Sequence, residues 1–401
     1  MSKNEEIVIL GNGFDLSCEL KSSYRNFFNM RYYGVYDRRK KNQLTNIGAR
    51  CFEIITEPYN YGGTSTSPEF FDKINFWDLA VFKKDGKFGN WQDFEAFIKN
   101  TLKTIDKSLD ELKKRKTIIT SLSKIDLMNF IDITQVIEEK NMLLPFLYMT
   151  MQFDHESFSR TLTKENVSDF LLGELIKFES TFCDYMSQEV WNSDYDSKSE
   201  KLLKTIQANK ENDIISNVVT FNYTNPRHIN SYKSSKSEDI FLKHVHGDLI
   251  NRDIIFGINV SDTKLSSKNF HHSYFNVPFF RKFTKTYRTL SLTNKYPLFG
   301  QYTGEIKFFG HSLGEADFSY FKVMFDSLNL YGGDLKLKFF YKKYQPGIDV
   351  KSQQIELVTN LLKQYEESLE GEGNTNIPYP GYIFDKLRTE GRLSIIDVDF
   401  N

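Results

Sequence analysis

The run Glu6-Ile7-Val8-Ile9-Leu10 passes directly into Gly11-Asn12-Gly13, and this junction constrains the fold more than any other stretch of the chain. Four consecutive apolar residues, three of them β-branched, do not suit a strand with one wet face. A continuous apolar run needs cover on both sides, as a central strand of a parallel sheet has. The glycines stop the strand and leave a turn whose backbone can come close to phosphate or ribose oxygens. A helix is expected over Leu16 to Met30, with Ser22-Ser23 as its weak point. A lone strand cannot bury itself, so its neighbours must lie elsewhere in the sequence.

They appear some 200 residues later. Asn217 to Phe221, Ile240 to His246, Asp253 to Phe256, Glu305 to Phe309, Leu335 to Tyr341 and Leu393 to Val398 read as strands, and Ser352 to Leu369 as a helix. Residues 31–212 differ. Phe94, Phe97, Ile98, Leu102, Ile105, Leu109 and Leu112 recur at helical spacing. Further helices are expected near 125–140, 166–190 and 199–209, and a loop at Gly62 to Pro68. The expected fold is therefore α/β: a Rossmann-like parallel sheet with a large, mostly helical insertion after the first strand. The core takes residues 1–30 and 213–401, and the insertion residues 31–212.

Composition narrows the function. The 401 residues include 40% hydrophobic and 26% charged, as in globular proteins, and the net charge is −1. No global basic field exists to attract nucleic acid. The three cysteines, Cys18, Cys51 and Cys183, are odd in number and far apart, which disfavours a disulfide framework or a zinc ribbon. No basic segment followed by an apolar run opens the chain, and no apolar stretch approaches the roughly 20 residues of a membrane span. A cytoplasmic protein with no membrane partner is expected. The 36 Phe and 22 Tyr point to a core filled by rings.

Four segments share one format, an apolar strand entering a polar turn, and in a parallel sheet such turns gather where ligands bind. In Gly11-Asn12-Gly13-Phe14-Asp15, Asp15 could accept ribose hydroxyls or cap the next helix. In Phe221-Asn222-Tyr223-Thr224, the Asn222 amide could hold a sugar hydroxyl or a water, or shape a turn. In His244-Val245-His246-Gly247-Asp248, the two histidines face one way on a strand; a metal lacks further ligands nearby, so a general base is the expectation. In Gly310-His311-Ser312-Leu313-Gly314-Glu315-Ala316-Asp317, Gly310 and Ser312 could touch phosphate or ribose, and Asp317 could cap a helix. His155, His228, His271 and His272 lack such context.

These segments resemble, in order and nearly over the whole chain, the bacterial abortive-infection proteins called AbiH. The likeness runs through Ile9 to Asp15, Leu20, Ser23-Tyr24, Trp91 to Glu95, Phe221 to Thr224, His246-Gly247, Phe256-Gly257 and Gly310 to Asp317. AbiH proteins are in turn distantly similar to sirtuin-type phage-defence domains that hydrolyse NAD. That resemblance implies NAD or a related nucleotide as substrate, Gly11 and Gly13 cradling it, Asn222 holding the nicotinamide ribose or the attacking water, and His246 as base. Asn12, Phe14, Asp15, Tyr223, Thr224, Gly247, Gly310 and Ser312 complete the expected binding set, with no metal. Asp15 or Asp248 could stabilise positive charge on the ribose. The zinc ribbon of sirtuin deacylases is absent, which argues against deacylation. The alternatives are a nucleotide-sensing module that controls a partner, and a nuclease. A homo-oligomer and a phage-derived trigger both stay open.

Overall fold

A computed structural model describes residues 5–34, 45–57, 73–84, 91–114, 130, 142–153, 162–207, 215–226, 241–259, 274–292, 297–300, 302–343, 347, 349–370 and 382–400. The sheet is parallel and six-stranded: β1 (Glu5–Leu10), β2 (Ile215–Thr220), β3 (Phe241–His244), β4 (Thr303–Phe309), β5 (Lys336–Tyr341) and β6 (Leu393–Asp397), in the order β3-β2-β1-β4-β5-β6. β1 is central, flanked by β2 and β4. The strand order reverses there, and in such folds the crevice for a ligand opens outside the carboxyl ends at that reversal.

Register brings the turns together. Leu10 pairs with Thr220 on one side and Phe309 on the other, and Thr220 pairs with His244. The chain thus leaves four strands at one level, so Gly11, Phe221, Val245 and Gly310 start turns side by side. The expected strand at Asp253 to Phe256 does not form. Its backbone is drawn off instead: Ile255 N–H donates to the His246 carbonyl at 3.0 Å, and Phe256 N–H to the buried Glu179 carboxylate at 2.6 Å.

The alternation of β1 divides the core. Val8 and Leu10 pack with Trp77, Phe94, Phe182 and Phe256 on one face. Ile7 and Ile9 pack with Phe308, Phe339, Phe321 and Leu361 on the other. Between β1 and β2 the described residues form helices Asn12–Ser17, Tyr24–Tyr33, Asn46–Thr56, Phe76–Lys83, Trp91–Lys114, Leu143–Phe153, Lys164–Trp191 and Tyr195–Gln207. Their rings interlock with the sheet's: Tyr24 lies 4.6 Å from Phe94, and Phe182 lies 5.3 Å from Phe256, between centroids. The ring-filled core is therefore shared by helices and sheet. In place of the single helix expected from Leu16 to Met30 there are two: Asn12–Ser17 starts directly after Gly11 and stops before Cys18, and Tyr24–Tyr33 starts after Ser23, whose side chain caps it. The loop at Gly62 to Pro68, most of the helix near 125–140, and His155, His228, His271 and His272 lie outside the described residues. Among the described residues, no helix is long and apolar enough to cross a membrane.

The turns after β1 and β4 meet backbone to backbone. Gly11 N–H donates to Phe309 O at 3.1 Å, and Gly13 N–H to Gly310 O at 2.7 Å. A Cβ on Gly11 would stand 2.5 Å from the His311 Cα, and one on Gly13 2.7 Å from the Gly310 Cα. Gly310 has φ +70°, and its Cβ would stand 2.2 Å from Phe14 N. Gly310→Ala is expected to cost about 2–4 kcal/mol, since it adds both a clash and a left-handed residue. Gly304→Ala, where a Cβ meets nothing, should leave stability within about 1 kcal/mol of the parent. Chemical denaturation of the two variants checks this pair.

Candidate functional site

Around β1 and β2 the expected binding residues form a closed polar knot. Asp15, 1% exposed, accepts from Tyr195 Oη at 2.6 Å and from Thr224 Oγ1 at 2.8 Å. Asn222 Nδ2 donates to Gly11 O at 3.0 Å, and the Asn222 carbonyl meets His244 Nδ1 at 2.9 Å. Burial pushes the Asp15 carboxyl up to about 6, although hydrogen bonds from Tyr195, Thr224 and Asn222 pull it down. Asn12 accepts from Ser22 Oγ at 2.6 Å, Phe14 packs edge-on to Phe309, and Tyr223 Oη donates to Ile255 O at 2.9 Å. These side chains fasten the turn to helix Tyr195–Gln207 and to the neighbouring turns. The glycine turn's own amides at Gly11 and Gly13 are spent on β4. Ser312 is exposed.

A second cluster lies beside this knot, and it carries the reactive groups. His246 is 6% exposed, and its Nε2 lies 3.1 Å from Asp317 Oδ1. The next residue, Gly247, has φ +84°, with Asp253 O where a Cβ would sit. Asp248 turns away and accepts from the Asn251 backbone at 2.7 Å. His311 Nδ1 accepts from Leu313 N–H at 2.9 Å, so its proton sits on Nε2, 3.4 Å from Asp317 Oδ2. Phe221 stands between the imidazoles, with ring centroids 5.6 Å from His246 and 4.5 Å from His311. Lys285 Nζ closes the cluster, 2.8 Å from Asp317 Oδ1 and 2.7 Å from Glu95 Oε1. Lys285 is placed by a backbone pair: its N–H donates to Ile258 O at 3.0 Å, and Ile258 N–H donates to Phe283 O at 2.9 Å.

The charges assign the protons. Burial opposes the negative charge of Asp317, but the Lys285 ammonium and the N–H groups of His246 and His311 outweigh it and hold that carboxyl well below its usual range. An ionised carboxylate only accepts, so His246 carries its proton on Nε2 and presents a lone pair at Nδ1. Nδ1 is buried and has no partner. Burial first, then Lys285, lowers the basicity of His246, so the ring is neutral near pH 7. A neutral imidazole backed by a carboxylate, with one nitrogen open, is the arrangement of a general base that takes a proton from water or a hydroxyl.

Of the expected catalytic pair, His246 stands in this cluster, whereas Asn222 braces the knot. His244, expected to face the same way as His246, is tied to Asn222 O and to Asn225 Oδ1 at 2.6 Å. Among the described residues, no group of three or more His, Cys, Asp or Glu is arranged to hold a metal ion. Glu95, Lys285 and Asp317 were not expected as site residues. Asp317 precedes helix Phe318–Ser327, but its side chain makes no capping bond there; its oxygens go to the cluster instead. Glu95 carries the faint signal of an acid among Phe94, Phe97 and Ile98, at the end of the family-like stretch Trp91 to Glu95, and Lys285 carries none.

Residues 7–338 match the protein family described as Bacteriophage abortive infection AbiH. Neither a curated protein nor a solved structure matches the chain.

Tyr195→Phe tests the knot. It removes one donor from a buried carboxylate, for an expected loss of ~1–3 kcal/mol. The folded Asp15 pKa, about 6, already lies above the ordinary 3.8, so the fold loses stability as pH rises between those values. The variant raises the folded value further, so its deficit should widen as pH rises through about 6. Melting temperatures measured across that range check the sign.

Proposed function

This chain belongs to the bacteriophage abortive infection AbiH family, and we propose that it is a phage-defence effector that binds a nucleotide at the strand ends and hydrolyses NAD at the nicotinamide–ribose bond. The observation that carries the reading is the buried, unpartnered Nδ1 of His246, backed by Asp317. The position of that atom outside the carboxyl ends, close to the reversal of strand order, supports a nucleotide as ligand. The order of the glycine, Asn-Tyr and His-Gly segments, which resembles that of sirtuin-type NAD-hydrolysing domains, supports NAD.

The chemistry asks little of the protein. Water adds to the ribose C1′ as the C–N bond breaks, and nicotinamide departs neutral with the bonding pair. It needs no acid, because it is already a cation in NAD. The transition state is oxocarbenium-like, as in glycoside cleavage generally. His246 Nδ1 receives the proton from the attacking water, and Asp317 compensates the imidazolium that forms. Asn222 holds the turns after β1 and β2 at a fixed distance beneath the sugar.

His246→Ala should lower NAD turnover by about 10²–10⁴-fold, the usual worth of a positioned base, with the melting temperature retained. Turnover should also fall on the acid side as Nδ1 takes a proton. Asn222→Ala should lose both turnover and stability, because it opens the knot. Product analysis of nicotinamide and ADP-ribose, beside calorimetry of NAD binding, decides the matter. Binding without products would mark a nucleotide sensor, and undiminished turnover in His246→Ala would remove the proposed base.

A further inference from the structure

The reactive cluster is assembled from distant parts of the chain. Glu95 lies on helix Trp91–Lys114, in the helical stretch between β1 and β2, whereas Lys285 follows β3 and Asp317 follows β4. One oxygen, Asp317 Oδ1, receives both His246 Nε2 at 3.1 Å and Lys285 Nζ at 2.8 Å. On its other side the same ammonium is held 2.7 Å from Glu95 Oε1. The Lys285 side chain is 5% exposed, so water cannot easily share that role.

We propose that Glu95 is a positioning residue of the hydrolytic site: it holds the Lys285 ammonium so that the shared Asp317 oxygen keeps the His246 N–H, which makes the helical insertion a working part of the site. This inference rests on His246 being the base. Without a second carboxylate, the whole charge of Lys285 would fall on Asp317. An ammonium bonded to one carboxylate competes with a neutral imidazole N–H for that carboxylate, and charge-assisted bonds are the stronger. His246 would then lose both its orientation and the negative charge behind it.

Among the described residues, Asp317 and Glu95 are the acids paired with Lys285. His246 is faced by Asp317, Lys285 and His311, and by the rings of Phe221 and Tyr320. Glu95 is faced by Lys285 and Asp317, and its charge also reaches the phenols of Tyr24, Tyr223 and Tyr320. The Glu179–Arg288 pair lies beyond Tyr223. Burial pushes the Glu95 carboxyl up to about 7, against the pull of Lys285. The negative charge behind His246 therefore changes within the neutral range, and it does so through a residue of the insertion.

The experiment uses the full chain with labelled histidine. NMR titration without nucleotide gives the His246 midpoint, assigned by the signal lost in His246→Ala, and NAD hydrolysis is followed against pH. In the parent, the near-neutral titration of Glu95 should appear in the acid limb of the rate profile, above the His246 midpoint, and Glu95→Gln should remove that step and move the limb to lower pH. It should also reduce kcat about tenfold with KM little changed. Lys285→Met, which takes the cation from beside the imidazole, should move the His246 midpoint up. A simple structural role would not remove a titration step from the profile. If Glu95→Gln does not fold, Glu95→Asp should move that step in pH. An unmoved acid limb in the folded Glu95 variant overturns the proposal while leaving His246 as base. Retained hydrolysis in His246→Ala overturns both, so the two failures are distinguishable.

Discussion

The hydrogen bond from Gly13 N–H to Gly310 O, 2.7 Å long, is the contact on which the rest of the strand-end architecture depends. It forms only because neither residue carries a Cβ. With the turns after β1 and β4 locked at van der Waals distance, His311 is delivered beside Phe221, and the chain past Gly310 is aimed so that Asp317 reaches His246. The glycine turn thus works first as a joint between two strands. Loops that hold reactive groups gain precision when their backbone leaves a rigid element at a fixed angle, and here four strands end at one level.

The cluster also illustrates how burial and pairing divide the work. Asp317 stays ionised in a largely dry site because Lys285 and two imidazole N–H groups face it. Glu95 is pushed towards neutrality instead, by burial first and then by the Asp317 charge, against the pull of Lys285. Two carboxylates a few ångströms apart around one ammonium therefore separate in proton affinity, and such separation is characteristic of sites that handle protons. The surrounding rings of Phe221, Tyr320 and Phe321 exclude water and sharpen every one of these interactions.

Much of the fold was legible in the sequence because burial on both faces leaves an unbroken signature. The apolar run Ile7–Leu10, the pair Val218-Val219, and the apolar-rich stretches Ile306–Phe309 and Leu337–Tyr341, each broken by one lysine, lie in strands. Asp253 to Phe256 has the same texture and did not, because Glu179 and the His246 carbonyl claim its amides. Local pattern cannot reveal a competing partner some 77 residues away. Asp15 could be read as capping a helix or touching ribose; the structure gives its oxygens to Tyr195 and Thr224. Asp317 looked like a cap and turned out to be the carboxylate behind His246.

By itself, the sequence determined that a central parallel strand would end in a glycine turn, that polar turns would follow its neighbours, and that His246 would stand at one of them. Those features follow from hydrophobic periodicity and backbone sterics, which act over a few residues. Only the tertiary structure decided that the glycines would be filled by the opposite turn, that Asn222 would brace, and that Glu95, Lys285 and Asp317 would meet around His246. Such meetings depend on register and on the path of helices across about 190 residues between Glu95 and Lys285. A single acid or lysine leaves no local mark of the partner it will find.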